Sequence, residues 1–452
     1  MSKEGKTAAK DMTKGNIPLL LIGFAVPLIF GNLFQMMYNT VDSLVVGNFV
    51  GKEALAAVGA TTMVTNMLVF FFNGVSVGAG VVISRFYGAK NEKNLHDAVE
   101  TTIFITLVCG VLFTIIGILL VKPMLLFMST PDDVMGEAST YLRIYFSGIA
   151  GLLIYNMGSG ILRAVGDTKR PLMFLILTSV INIILDLFFV IVLHMGIAGV
   201  AYATIISQFI SAVLILILLT RSKEIYYLSW RDLHCNMNIL ANILIIGLPT
   251  GIQAVVTSFS NVFVQSYINH FGSACMAGWS CYNKLDMFVM LPMQSISQAA
   301  TTFVGQNIGA KRLDRVHKGT ISSLVLVESI TLVFCTFLFV FAHNSIGIFT
   351  SDQEVISFGI LFLRTNVFFL LFNCINHTLA GALRGRGDST GPMIIMLVNF
   401  VLLRQIYLFI VTHFIANEPQ LVGFGYPVGW MACCAIEILY YYVRWGRKSK
   451  RI

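Results

Sequence analysis

Two carboxylates, an amide and a hydroxyl lie where almost every neighbouring residue is apolar. Asp42 falls in the run 27–51, where Asn32, Gln35, Asn39 and Asp42 recur at steps of three, four and three. That spacing predicts one polar stripe on a helix. Asn182 and Asp186 are four apart in NIILDLFF and so face the same way, and Thr204 lies in GVAYATIIS. An ionisable side chain within a membrane span costs at least about 2.5–3.5 kcal/mol at mid-depth and normally faces protein or water. Oxygen ligands of this hardness suit a sodium ion or a proton shared between carboxylates. The competing reading is polar glue between helices, with no traffic through it. Pro27 removes one backbone hydrogen bond and marks a hinge in the same helix.

The elements that must position these residues are membrane helices. The chain of 452 residues is 56% hydrophobic and 12% charged, with a mean hydropathy of +0.80. A soluble domain carries about 25% charged residues. At about 20 apolar residues per crossing the sequence supports twelve spans. They fall at 17–49, 53–80, 98–121, 139–161, 171–193, 197–219, 240–268, 277–303, 319–342, 357–382, 392–415 and 424–444. The first is long enough to need a kink or a strong tilt. The expected fold class is an all-α integral membrane protein.

Charge distribution orients it. Of the 30 Lys and Arg residues, 24 fall in the termini and in alternate loops on the side of the N-terminus, Lys90, Arg170, Arg312 and Lys448 among them. The opposite side has only Lys52 and Lys122, with acids such as Asp132, Asp133, Asp352 and Glu354. The excess of basic residues predicts both termini in the cytoplasm and a multi-pass protein of the cell membrane. The formal net charge of +8 is therefore topological, and no nucleic-acid partner is expected. Eight cysteines without C-x-x-C spacing support neither a disulfide framework nor a zinc site.

An internal repeat divides the chain. GILRAVGDTKRP at 160–171 matches GALRGRGDSTGP at 381–392, and the same offset of 221 pairs Gly88-Ala89-Lys90 with Gly309-Ala310-Lys311. The expected domains are a six-helix bundle over 1–222, a cytoplasmic linker over 223–239 and a second bundle over 240–452. Six is even, so the halves enter from the same side, and their pseudo-two-fold axis should run along the membrane normal. Asp167 and Asp388 in the repeated motif read as caps of the next helix.

The halves differ in their acids. At offsets of 221 or 222, Asn182, Asp186 and Asp42 are matched by Leu403, Tyr407 and Val264. Outside that register, Thr204 of the sixth span is matched by Cys434 or its neighbour. At 1.5 Å per residue, Asp42, Asp186 and Thr204 each lie roughly 10–15 Å below the outer end of their spans. Acid chemistry therefore belongs to the N-terminal half, at one depth. Lys284 and Asp286 read as an internal pair or as substrate contacts, and Glu328 and Glu437 as single polar contacts.

Taken together, these residues resemble the multidrug and toxic compound extrusion (MATE) family of transporters, prokaryotic type. The resemblance covers the whole chain. It rests on the two parallel six-span halves, on Pro27 with Asp42 in YNTVDSLVVG, on the two repeated loops and on VGQNIGAK at 304–311. It implies export of amphipathic, cationic or aromatic small molecules by antiport with protons or sodium ions, through alternating access between two bundles. The family's cation site would carry over onto Asp42, Asn182, Asp186 and Thr204, as sodium ligands if sodium couples transport. Candidate cavity-lining residues are Asn32, Gln35, Asn39, Gln253, Thr257, Asn261, Lys284 and Asn373. The seventh and tenth spans offer no carboxylate, which argues against a cation site in the C-terminal half. No cofactor beyond the coupling ion, no catalytic residue and no partner beyond drug-like substrates and the lipid bilayer are expected, and a monomer suffices.

Other classes fit less well. A flippase of lipid-linked sugars would need several basic residues for pyrophosphate, whereas the spans offer Lys284 and Arg404. Gly385 to Asp388 match the GxGD of intramembrane aspartyl proteases, but Asp388 lies in a basic loop. Nothing resembles a channel filter.

Overall fold

The computed structural model describes residues 9–446, apart from the side chains of Lys52 and Glu53. Lys3, Lys6, Arg447, Lys448, Lys450 and Arg451, used above to orient the chain, lie outside the described residues. The described residues are mostly helical, without strands, and form twelve long helical segments. These are α1 (Ile17–Val50), α2 (Lys52–Gly88), α3 (Glu92–Phe127), α4 (Asp132–Ser147 and Ile149–Ala164), α5 (Lys169–Val192) and α6 (Gly196–Arg221). The second set is α7 (Met237–Asn269), α8 (Ser273–Gly309), α9 (Leu313–Val340), α10 (Gln353–Gly385), α11 (Thr390–Ile415) and α12 (Pro419–Trp445).

Ten of the twelve are long and apolar enough to cross a membrane, and α4 becomes an eleventh if its two pieces, bent by 49° at Gly148, count as one span. The remaining helix, α8, has 37 residues and carries Lys284, Asp286 and several Ser and Gln side chains. Its length spans a bilayer at 1.5 Å per residue, while its polarity sets it apart.

The bilayer is visible in what stays uncovered. Leu119 is 71% and Phe127 90% exposed on α3, and only 22% of its most apolar stretch is buried. Water would not tolerate such a surface, whereas lipid tails wet it at no cost. Burial is instead given to Thr, Ser, Asn and small residues, which satisfy their polar atoms inside the protein. Hydroxyls such as those of Thr102, Thr106 and Ser211 return hydrogen bonds to carbonyls four residues earlier.

The chain separates into two compact units. The first comprises Pro27–Gly251 with the segment through Asp11, and the second comprises Met12–Val26 with everything from Ile252 onward. The segment 223–239, expected to divide the chain, lies within the first unit. Each unit thus holds five whole helices, α2–α6 or α8–α12, and a part of both α1 and α7, inside which the boundaries fall. In the first unit α2 meets the start of α7 through glycines. A Cβ on Gly74 would stand 2.3 Å from the Gly251 nitrogen, and one on Gly78 would stand 2.4 Å from the Ile243 carbonyl. Only Gly permits that approach, the small-xxx-small packing of membrane helices. In the second unit the core gathers aromatic side chains, with Trp279 edge-on to Phe362 at 4.8 Å.

The repeat is structural down to single dihedrals. Gly166 and Gly387 both take left-handed φ, +87° and +77°, and the non-glycine pair Lys90 and Lys311 does so at 53° and 57°. Asp167 accepts from the Arg170 amide at 3.2 Å, and Asp388 from the Gly391 amide at 3.1 Å. Both aspartates of the repeated motif therefore cap the helix that follows, as their position predicts.

Candidate functional site

Four helices of the first unit, α1, α4, α5 and α6, bring the acids together. A short turn joins α5 to α6, with His194 and Gly196 both at positive φ, 53° and 58°. Residues equally far from that turn therefore end at the same level, and Asp186 and Thr204 are such a pair. Gly199 lets the two helices close up, since a Cβ there would lie 2.9 Å from Phe189 Cβ. Both acid-bearing helices finish in a wide π-helical turn, Val46–Val50 after Asp42 and Phe188–Val192 after Asp186. Such turns recur at functional sites.

All four residues expected in the site are buried: Asp42, Asn182, Asp186 and Thr204. The carboxyls of Asp42 and Asp186 lie within interaction range of each other. Two ionised carboxylates offer each other no donor and repel, so a direct contact between them requires a proton on one. Asn182 joins in with its amide oriented to suit its neighbours: the nitrogen donates to Asp186 Oδ2 at 3.2 Å, and the oxygen accepts from the Thr204 amide at 3.3 Å. The Thr204 hydroxyl donates to the Val200 carbonyl at 3.0 Å, with the Tyr38 side chain close by. One oxygen of each acid, Asp42 Oδ1 and Asp186 Oδ1, has no hydrogen-bond partner. Buried acceptors left open in this way are what a second proton or a small hard cation would satisfy.

Tyr38 and Tyr141, on α1 and α4, also lie close enough to both acids to interact with them electrostatically. Neither was expected in the site. Tyr38 had a signal, because it precedes Asp42 by four residues on the same helix face. Tyr141 had none.

The polar stripe is not a single buried face. Asn32 is half-buried and Gln35 and Asn39 are exposed, while Asp42 is buried. At 3.6 residues per turn, Asp42 points about 60° away from Asn39 but only about 40° from Tyr38. Steps of three, four and three drift around the helix far enough to separate the acid from the amides.

The second unit has a different character. Val264, opposite Asp42 in the repeat, is buried in an apolar cluster, and Tyr407, opposite Asp186, donates to the Leu421 carbonyl at 3.1 Å. Arg404 is buried, donates to Ser260 Oγ at 2.7 Å and stacks over the Tyr426 ring at 4.6 Å. Gln253 accepts from Arg384 at 2.9 Å, and Asn373 contacts Met290 Sδ at 3.6 Å. Thr257 is half-buried with its hydroxyl unpartnered. Asn261 accepts from Tyr426 at 3.3 Å, and Lys284 is exposed with its ammonium over the Phe349 ring.

An all-helical chain of two repeated six-helix sets, with paired acids in only one of them, has the construction of a secondary transporter. The sequence profile of the MatE family matches it twice, over residues 27–188 and 249–410, so the chain belongs to the MatE family of efflux transporters. The two matches start 222 residues apart (27 and 249), which is the repeat seen in the loops.

The chain is 30% identical to the probable multidrug resistance protein YpnP of Bacillus subtilis (strain 168), over 97% of this chain and 98% of that one. It is 28% identical to the probable multidrug resistance protein NorM of Thermotoga maritima, over 84% and 82% of the two chains. Among solved structures, an outward-facing multidrug resistance MATE family transporter of the MOP superfamily superposes with a TM-score of 0.90, covering 98% of each chain at 24% identity.

Proposed function

We propose that this chain is a proton-coupled antiporter of the cell membrane that exports amphipathic, drug-like small molecules, with Asp42 and Asp186 as the coupling pair. The observation that carries this reading is the approach of two buried carboxyls from α1 and α5, each with an oxygen that has no hydrogen-bond partner. Asn182, itself held by the Thr204 backbone amide, orients Asp186, and Tyr38 of α1 lies beside them. A second proton would complete the pair and remove its charge. Loss of a proton would leave two like charges in a poorly hydrated bundle, which drives the acids apart or draws water in. A change of that kind on α1 is what a hinge at Pro27 would serve, because a ligand shifts a conformation only through its different affinity for the two states.

Relatives named for multidrug resistance support drug-like molecules as the substrate class. Cationic or aromatic substrates suit a transporter rich in Phe, Met and Tyr. Both termini lie in the cytoplasm in this reading, and one chain is the working unit. Sodium is the second coupling ion to consider. It would have to part the two carboxyls, since hard cations need several oxygens at about 2.3–2.6 Å with no proton between them.

The test is efflux of a dye panel from proteoliposomes with pH and sodium gradients imposed separately. A pH gradient alone should drive efflux, and Asp42→Asn and Asp186→Asn should abolish it. Efflux driven by sodium alone would replace the proton in this reading; efflux indifferent to both substitutions would remove the pair from coupling.

A further inference from the structure

A second group of titratable side chains stands apart from the coupling pair, where the start of α3 meets the segment that leads from α6 into α7. His96 and Glu100 are four apart and project from one face of α3. Glu100 is fully buried, and neither of its oxygens makes a well-directed hydrogen bond, although His96 Nε2 stands 2.6 Å from one and His234 Nδ1 2.8 Å from the other. The ligand atoms of His96, Glu100 and Asp232 lie within 4.8 Å of one another. His234 also places its Nε2 3.8 Å from Asp97.

The surroundings are organised for ligation. His96 Nδ1 lies 3.1 Å from the Tyr227 carbonyl. A proton on that nitrogen leaves the Nε2 lone pair free to face Glu100, the arrangement by which a ligating histidine is fixed in tautomer and orientation. Asp232 is held by the Ser229 hydroxyl at 2.7 Å. The segment is fastened to α3 just beyond, where the Asn236 amide donates to Thr101 Oγ1 at 3.0 Å. His234 Nδ1 also lies 2.7 Å from the Asp232 carbonyl, which keeps the second imidazole beside Glu100.

We propose that His96, Glu100 and Asp232 form a binding site for one divalent transition-metal ion of the zinc type, with His234 as the neighbouring imidazole that closes it. One imidazole and two carboxylates favour a borderline cation over magnesium or calcium, which prefer oxygen alone. Ligand bonds of about 2.0–2.2 Å in a tetrahedron set ligand atoms roughly 3.4 Å apart. An entering ion therefore widens the 2.6 Å His96–Glu100 contact by under an ångström and draws Asp232 in. The ion would pin the segment between the repeats to the first unit's third helix. This assignment is independent of what couples transport.

The experiment uses the full chain in detergent, freed of any affinity tag and stripped by a chelator. Zinc affinity is measured by competition with a chromophoric chelator, stoichiometry by elemental analysis, and geometry by the visible absorption of the cobalt(II) form. One zinc per chain is expected, with a tetrahedral cobalt spectrum and no displacement by millimolar magnesium. Glu100→Gln and His96→Gln should each weaken binding at least about tenfold, a change of about 1.4 kcal/mol. The Asp42→Asn/Asp186→Asn double variant should bind as the parent does. His96 is half-buried at the protein edge, so its variant provides the answer if loss of the buried Glu100 prevents folding. Three results would overturn the site: no zinc uptake by the parent chain, unchanged affinity in His96→Gln, or loss of zinc in the Asp42/Asp186 variant. Displacement by magnesium would refute the metal class.

Discussion

If Asp42 and Asp186 share a proton as proposed, the two acids should respond to substitution alike and unlike any other acid in the chain. Asp42→Asn and Asp186→Asn keep the volume and the hydrogen bonding of a neutral carboxyl, so the protein should fold and insert while gradient-driven efflux is lost. Tyr38→Phe removes a hydroxyl from beside the two acids, and one polar contact is worth about 0.5–1.5 kcal/mol net, so efflux should slow severalfold without being abolished. Glu437 is a useful contrast. It is fully buried and interacts electrostatically with Arg384, so Glu437→Gln should lower thermal stability and leave the pH dependence of efflux intact. Efflux assays and melting curves on these four variants separate coupling from packing, and equal behaviour of all four would defeat the assignment. At this scale the sequence was informative where chemistry is expensive. A carboxylate among apolar residues stands out, and the missing partners in the second repeat pointed to one half. Tyr141 was illegible because a tyrosine in a membrane helix looks the same whether it fills a core or faces an acid. The cluster at His96 was hidden for another reason: its ligands lie more than a hundred residues apart in sequence, and only the fold brings them together.

Two devices operate on whole helices, and each predicts a different failure. The first is close packing by glycine. Gly74 and Gly78 on α2 allow α7 to approach until backbone atoms nearly touch. Gly74→Leu or Gly78→Leu should wedge the helices apart at a cost of at least about 1–3 kcal/mol, seen as a lower melting temperature or lower yield. Gly136→Ala, where no atom lies within 4 Å of the added Cβ, should be close to neutral. The second device is the proline break in α1. Pro27 sits where the chain passes from one compact unit to the other, and Pro249 on α7 lies two residues before the corresponding passage. A proline in a helix interior forfeits a hydrogen bond and disfavours the helix by about 3 kcal/mol. Pro27→Ala should therefore stiffen α1, raising thermal stability while lowering the efflux rate. A variant that is no more stable, or that exports at the parental rate, would show that Pro27 is not a hinge. Spans and repeat were legible because lipid demands long apolar runs and because Gly, Asp and Pro recur at a fixed offset. The unit boundaries were less legible, since no composition change marks residue 27 or 251 and the polar segment at 223–239 suggested a division instead.

For the molecule as a whole, twelve crossings return the chain to the side from which it starts, and the helix order decides which connections share that side. If every helix crosses once, the turns after α2, α4, α6, α8 and α10 should share the side from which α1 enters, and those after α1, α3, α5, α7, α9 and α11 the other. The first group contains Lys90, Arg170, Arg231, Arg312 and Arg386, and the second contains Asp132, Asp352 and Glu418. Basic residues flanking spans are retained in the cytoplasm during insertion, so the first group should be cytoplasmic. This orientation also decides which way the coupling pair works. Asp42 and Asp186 lie nearer the connections of the second group, so protons arriving from outside would reach them by the shorter path. The measurement is labelling of single cysteines by a membrane-impermeant reagent in intact cells. Because all eight native cysteines are free thiols, they must first be replaced. Cysteine at Lys90 or Arg312 should then label only after the membrane is permeabilised, whereas cysteine at Asp132 or Glu354 should label at once. The reverse pattern would invert the protein and place the acids nearer the cytoplasm, and a proton gradient directed inward could not then load them by that path.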